Sequence, residues 1–366
     1  MKTKNGDAGY SLVELLLSTA IMMVVTGTIF AIVNPAHNTS RVQPELADMQ
    51  QRMRVGTEMI YKDLVMAGAG VYQGASSGSL NKFFAPIQPY RTGRINPDPA
   101  MGVFFRPDAI SLVYVPNTAA QATIRDRMPL PSSEIKVNGQ PNCPIGDPLC
   151  GFTDGMSLLI FDDSGTWDSF EVTTVQSDAL HLQHRGQVFN KAYEPGANIV
   201  QAEWHTYYFD AANRQLRHYD GLQTDTPLVD NVVGLVFTYY GTPDPPTEPK
   251  PVIGVENCVI DVAGNPKLAV LPSNSESLVE LDPAILTDGG TGAVNWCGAN
   301  ANVFDPDLYR IRKVRVALRV QVGPESMRGS STFLFRNPGT ATVGDRYVPD
   351  YEMVFDVTPR NLNLAR

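Results

Sequence analysis

The stretch that most constrains this chain is Leu15–Val33, nineteen residues whose polar interruptions are Ser18, Thr19, Thr26 and Thr28. As an α-helix rising about 1.5 Å per residue it reaches roughly 28 Å, close to the ~30 Å hydrocarbon core of a bilayer. Lipid offers an exposed backbone no hydrogen-bond partners, so such a run crosses as a helix. One ionised side chain, Glu14, stands at its entrance. A carboxylate at the edge of a lone membrane helix is unfavourable and implies a task. Residues 1–9 form a short leader with Lys2 and Lys4, and Gly9-Tyr10-Ser11-Leu12-Val13 leads into Glu14.

Two simpler readings compete for these residues. A secretory signal peptide carries an apolar segment of about 7–15 residues and an A-x-A-like site. Here the run is longer, and nothing of that form precedes Asn34-Pro35. A plain signal anchor fits the length but gives Glu14 no purpose. Lys2 and Lys4 precede the run and the next basic residue is Arg41. That asymmetry predicts a cytoplasmic N-terminus and an exported C-terminal part.

The hexapeptide Gly9-Tyr10-Ser11-Leu12-Val13-Glu14, followed by the long apolar run, resembles the processing motif of type IV prepilins and type II secretion pseudopilins. The resemblance implies cleavage between Gly9 and Tyr10 by a prepilin peptidase and N-methylation of the new Tyr10 terminus. It also implies an assembly role for the Glu14 carboxylate, fifth after the cut. The family most often has Phe after the cut; Tyr10 departs from that and keeps an aromatic ring.

A chain of 366 residues is long enough for a membrane stalk plus one large or two small globular units. Its 43% hydrophobic content excludes wholesale disorder. Removing the leader's net +1 (Lys2 and Lys4 against Asp7) takes the formal charge from −9 to −10. That balance argues against broad nucleic-acid affinity, and no nucleic-acid partner is expected.

After the membrane run, Pro35 and Pro44 each predict a kink or break, because proline lacks a helical N–H donor. From Glu45 an amphipathic helix is expected, with Leu46, Met49, Met53, Gly56, Ile60, Leu64 and Ala67 on one face. Asp48, Gln51, Arg52, Glu58 and Lys62 lie opposite, and Gly68-Ala69-Gly70 is the stop signal. Residues 73–100 read as a Gly-, Ser- and Pro-rich surface loop. Its Gly74-Ala75-Ser76-Ser77-Gly78 matches the letters of a nucleophile elbow without the strand and helix that one needs.

Strands are expected at 109–115, 156–161, 170–175, 179–184, 203–210, 215–219, 232–240, 314–322 and 353–357, with 203–219 a hairpin through Ala211-Ala212-Asn213. The expected class is α+β: a long N-terminal helix, membrane half and amphipathic half, packed on a large antiparallel β-rich head. The expected organisation is leader 1–9, membrane helix 10–33, amphipathic helix 34–70 and head 71–366. Within the head, 241–305 exceeds normal connection lengths and reads as an exposed insertion of the kind that often carries function.

Four cysteines in an exported chain suggest two disulfides, and their spacing favours Cys143–Cys150 and Cys258–Cys297. A four-thiolate zinc site is the alternative, but neither pair has its C-x₂₋₄-C spacing. His181 and His184, three apart on a strand, point to opposite faces and make a poor ligand pair. Asp162, Asp163 and Asp168 around Gly165 are similar to a calcium loop but lack its terminal Glu. No catalytic residue, metal or cofactor is expected.

A finer resemblance, to PilW-type minor pilins, rests on several stretches. They are Tyr61-Lys62-Asp63-Leu64-Val65-Met66-Ala67-Gly68, the 203–219 hairpin, Pro227–Val232, Val314–Val320 and Pro359-Arg360-Asn361-Leu362. It implies a minor pilin of a type IV pilus, inserted in the inner membrane, processed and incorporated to prime assembly or sit at the tip. The implied partners are the prepilin peptidase, other pilins and inner-membrane lipid. A type II secretion pseudopilin and a membrane-anchored adhesin using 241–305 are the alternatives.

Overall fold

The computed structural model describes residues 10–70, 80–92, 105–116, 120–140, 143–222, 224–251, 253–273, 277–290, 295–323 and 350–363, with backbone alone for 34–42 and 301. The leader, Gly9 and the Gly74–Gly78 match lie outside the described residues. The chain divides into two compact units, residues 1–51 with 321–351, and residues 52–320 with 352–366.

Helix α1 runs from Leu12–Met66, 55 residues. Of the kink or break expected at Pro35 and Pro44, the break is absent: helical backbone continues through both. Each proline removes a single backbone bond from a ladder that propagates cooperatively on either side. Leu12–Val33 is apolar enough to cross a membrane, with mean hydropathy 2.3 and none of that window buried.

The amphipathic part behaves as its pattern predicts. Met49, Met53, Gly56, Ile60, Leu64 and Ala67 are buried, Leu46 is half-buried, and Asp48, Gln51, Glu58 and Lys62 are exposed. Gly56 lets the helix lie close to the strands of two sheets beneath it. A Cβ there would meet Leu318 Cδ2 at 3.0 Å, Val229 Cγ2 at 3.1 Å and Leu216 Cδ2 at 3.3 Å. The helix stops where Gly68 takes a left-handed φ of +73°. Its N–H donates to Val113 O at 3.0 Å, and Val115 N–H donates to Ala69 O at 2.7 Å, tying the helix end to a central strand.

In chain order the strands are β1 (Ile87–Gln88), β2 (Ala109–Tyr114), β3 (Gln121–Thr123), β4 (Ile135–Lys136), β5 (Ser157–Phe161), β6 (Trp167–Glu171), β7 (Thr174–Gln176) and β8 (His181–Gln183). Then follow β9 (Asn198–Gln201), β10 (Glu203–Asp210), β11 (Gln215–Tyr219), β12 (Asp225–Asp230), β13 (Val232–Gly241), β14 (Val279–Leu281), β15 (Ile311–Gln321) and β16 (Asp350–Val357). They form four sheets, ordered β1-β2-β10-β11-β12, β14-β13-β15-β16, β3-β9-β5-β6 and β4-β8-β7. The class is α+β, a long helix with a head of antiparallel sheets. The β3-β9-β5-β6 and β4-β8-β7 sheets share one core of Leu158, Ile160, Phe170, Leu182, Phe189, Tyr193 and Ile199.

Both expected disulfides are present, Cys143–Cys150 and Cys258–Cys297. The 241–305 stretch departs from an exposed insertion. It supplies β14 to the edge of β13, and Val259, Ile260, Leu268, Leu281, Leu286, Cys297 and Phe304 are buried. Arg310, with no exposed side-chain surface, donates to Pro243 O at 2.7 Å, Asp244 O at 2.8 Å and Ala269 O at 2.6 Å, and pairs with Asp307. A buried guanidinium needs that many acceptors, and here it binds the insertion to the start of β15.

Candidate functional site

Among the described residues, two places gather polar chemistry on α1. The first is its N-terminal turn. Ser11 N–H donates to Glu14 Oε2 at 3.0 Å, and Glu14 N–H donates to Ser11 Oγ at 3.2 Å, a reciprocal capping box. The carboxylate therefore satisfies an orphan donor at the positive end of the helix dipole, which lowers the penalty of its position. Tyr10 is exposed just ahead. The bond expected to be cut, after Gly9, involves a residue outside the described ones.

The second place lies on the buried face of α1, where Asp63 interrupts the apolar stripe three residues after Ile60 and four before Ala67. Beneath it the sheet presents Tyr114 from β2, Glu203, His205 and Tyr207 from β10, and His218 from β11. The register explains the grouping: Tyr207 pairs with His218 and Glu203 with Tyr114. Tyr207 Oη donates to Asp63 Oδ2 at 2.5 Å. His205 Nδ1 lies 3.1 Å from the same oxygen and 2.9 Å from His218 Nε2. On its far side, His205 Nε2 is 3.0 Å from Tyr114 Oη and 3.5 Å from Glu203 Oε2. The Tyr114 and His205 rings are parallel within 2°, centroids 5.2 Å apart.

Electrostatics follow the burial. Burial and the Asp63 carboxylate push both Tyr207 and Tyr114 well above the usual phenol range, so both stay protonated donors. Burial and the neighbouring His205 lower His218. Asp63, His205 and His218 each offer one atom, all within 4.8 Å of one another, a set able to hold a metal ion.

The other candidates are occupied by structure. Asp162 pairs with Lys191 and accepts from Ser164 Oγ at 2.5 Å. Asp168 accepts from Tyr193 Oη at 2.8 Å and from Asn190 at 2.9 and 3.0 Å; burial pushes it up to about 6 despite those donors. Gly165, between them, packs on the second disulfide, where a Cβ would meet Cys258 Sγ at 2.9 Å. The resemblance to a calcium loop is thus a seat for the insertion. His181 faces Glu134 at 3.3 Å, whereas His184 bonds Ser133 O at 2.8 Å, so the pair is not brought together. Asp305 accepts from the N–H groups of Asp307 and Gly289, both at 2.8 Å, and Asp307 pairs with Arg310.

In the sequence, Asp63 and the hairpin that holds His205 and His218 enter only as carriers of a resemblance, and the three are not read as a site. Two signals were available: a carboxylate inside an apolar helical stripe, and two histidines on facing strands of one hairpin. Neither reveals the third partner, because the helix and hairpin are over 130 residues apart in the chain.

Comparison with family models, curated proteins and solved structures returns no match.

Proposed function

We propose that this chain is a minor pilin of a type IV pilus. The observation that carries the reading is Gly9-Tyr10-Ser11-Leu12-Val13-Glu14 set directly at the head of a membrane-length apolar helix. A long helix continuing into an antiparallel β-rich head supports it. In this reading the helix spans the inner membrane with its N-terminus cytoplasmic, and the prepilin peptidase removes residues 1–9. The peptidase then methylates the Tyr10 amine.

Assembly follows from the physics of that terminus. Once the leader is gone, Tyr10 carries a cationic amine four residues before Glu14. In a stack of helices, one subunit's amine meets the Glu14 carboxylate of a neighbour. In an apolar filament core that pairing is stronger than in water, and an unpaired charge is penalised, so it selects register. Leu15–Val33 forms the core, and the head stays outside for contacts with other pilins.

The test is the N-terminal mass of the protein from membranes of cells with and without prepilin peptidase. A methylated Tyr10 start that disappears without the peptidase is the expected result. A Met1 start in both overturns the reading and leaves a signal-anchored protein. A type II secretion pseudopilin shares this terminus. The large head with its long 241–305 stretch favours the pilus, and loss of surface filaments rather than of secretion on gene deletion separates the two.

A further inference from the structure

We infer that Asp63, His205 and His218 form a divalent transition-metal site, best suited to Zn²⁺, that clips the amphipathic part of α1 to the sheet beneath it. The donor set is two imidazole nitrogens and one carboxylate oxygen, which such an ion prefers over Ca²⁺ or Mg²⁺. His205 Nδ1 stands 3.1 Å from Asp63 Oδ2 and 2.9 Å from His218 Nε2. With metal–ligand bonds of about 2.0–2.1 Å, the edge of a tetrahedron is roughly 3.3 Å. Those two separations therefore need to open by only a few tenths of an ångström, and all three ligand atoms already lie within 4.8 Å of one another.

Hydrogen-bond accounting points the same way. A single ring atom, His205 Nδ1, faces a carboxylate oxygen and an imidazole nitrogen at once. One N–H can be directed well at only one of them. A cation at the centre serves all three atoms together.

The surroundings are those of a held site. Tyr207 Oη donates to the ligating oxygen of Asp63. Glu203 and Tyr114 sit on the far nitrogen of His205, the arrangement that orients a ligating imidazole and raises its basicity. Parallel stacking on Tyr114 fixes the His205 ring. Both histidines are only half-buried, so the cluster is reached from solvent on their side. Thiolates do not compete, since all four cysteines are in disulfides. Because Asp63 comes from the helix and both histidines from the sheet, binding free energy becomes folding free energy.

The experiment is a Co²⁺ titration of the full chain, in detergent and stripped by chelator, followed by visible d–d absorption. Saturation at one equivalent, displacement by Zn²⁺ and a Zn²⁺-dependent rise in thermal midpoint are expected. His205→Ala and His218→Ala should each weaken binding by more than about 100-fold, and Tyr207→Phe by about ten-fold. His181→Ala should bind as the unaltered protein does. Histidine acylation of the unaltered protein, read by peptide mass, needs no variant: Zn²⁺ should protect His205 and His218 and leave the reactivity of His181 unchanged. Absence of a one-equivalent band, binding retained in His205→Ala or His218→Ala, or no protection of those two histidines overturns the site and leaves a hydrogen-bonded cluster only.

Discussion

Glu14 and Ser11 cap each other: the Ser11 N–H reaches Glu14 Oε2 at 3.0 Å while the Glu14 N–H reaches Ser11 Oγ at 3.2 Å. The carboxylate thus has a role within one chain, before any neighbour is present. Two substitutions separate that role from the pairing proposed for assembly.

Glu14→Gln keeps the cap, since glutamine closes the same box, but removes the charge; Glu14→Ala removes both. Both variants should enter the membrane normally. Both should lose incorporation into filaments by more than about ten-fold, because stranding a cationic amine in an apolar core costs several kcal/mol. Quantifying the subunit in sheared pili against membranes reads this directly. Normal incorporation of Glu14→Gln would show that the cap, and not the charge, is what matters.

Arg310 holds the 241–305 stretch through the carbonyls of Pro243, Asp244 and Ala269 and through Asp307. Arg310→Met should destabilise the head by roughly 3–5 kcal/mol, since it leaves Asp307 and three carbonyls buried without their partner. Arg310→Lys should rescue little, because an ammonium cannot fork toward acceptors on several sides. Limited proteolysis should then cut between 243 and 269 well before the sheets. Unchanged cleavage would mean that buried Val259, Leu268 and Leu271 hold the stretch unaided.

Burial pushes the Asp305 carboxyl up to about 7, outweighing the N–H donors of Asp307 and Gly289. The folded state therefore holds this proton more tightly than the unfolded chain does. Its contribution to stability is full below about pH 4 and is lost as pH rises through about 7. Over that window it contributes a slope of up to about 1.4 kcal/mol per pH unit. Asp305→Asn does not titrate, so chemical unfolding of both proteins from pH 4 to 8 should show a flatter fall in the variant. Parallel curves would mean that the carboxyl ionises in the fold as it does in the open chain.

Much of the architecture was legible because it is written in local periodicity. The 203–210 and 215–219 strands match their expected bounds, and the stripe from Met49 to Ala67 is the buried face. Strands β1, β3, β4, β9, β12 and β14 were not legible, being two to six residues long and fixed by their neighbours rather than by their own pattern. Prolines 35 and 44 do not end the helix for a related reason: a local penalty lost to the ladder around it. The membrane-length helix, the capped glutamate and the cysteine pairs follow from order along the chain, since each depends on residues close in sequence or on spacing. The meeting of Asp63 with His205 and His218, and the anchoring of the long insertion on Arg310, were decided only by tertiary structure. In both, a buried polar group must find partners, and sequence specifies the need for a partner but not which distant strand will supply it.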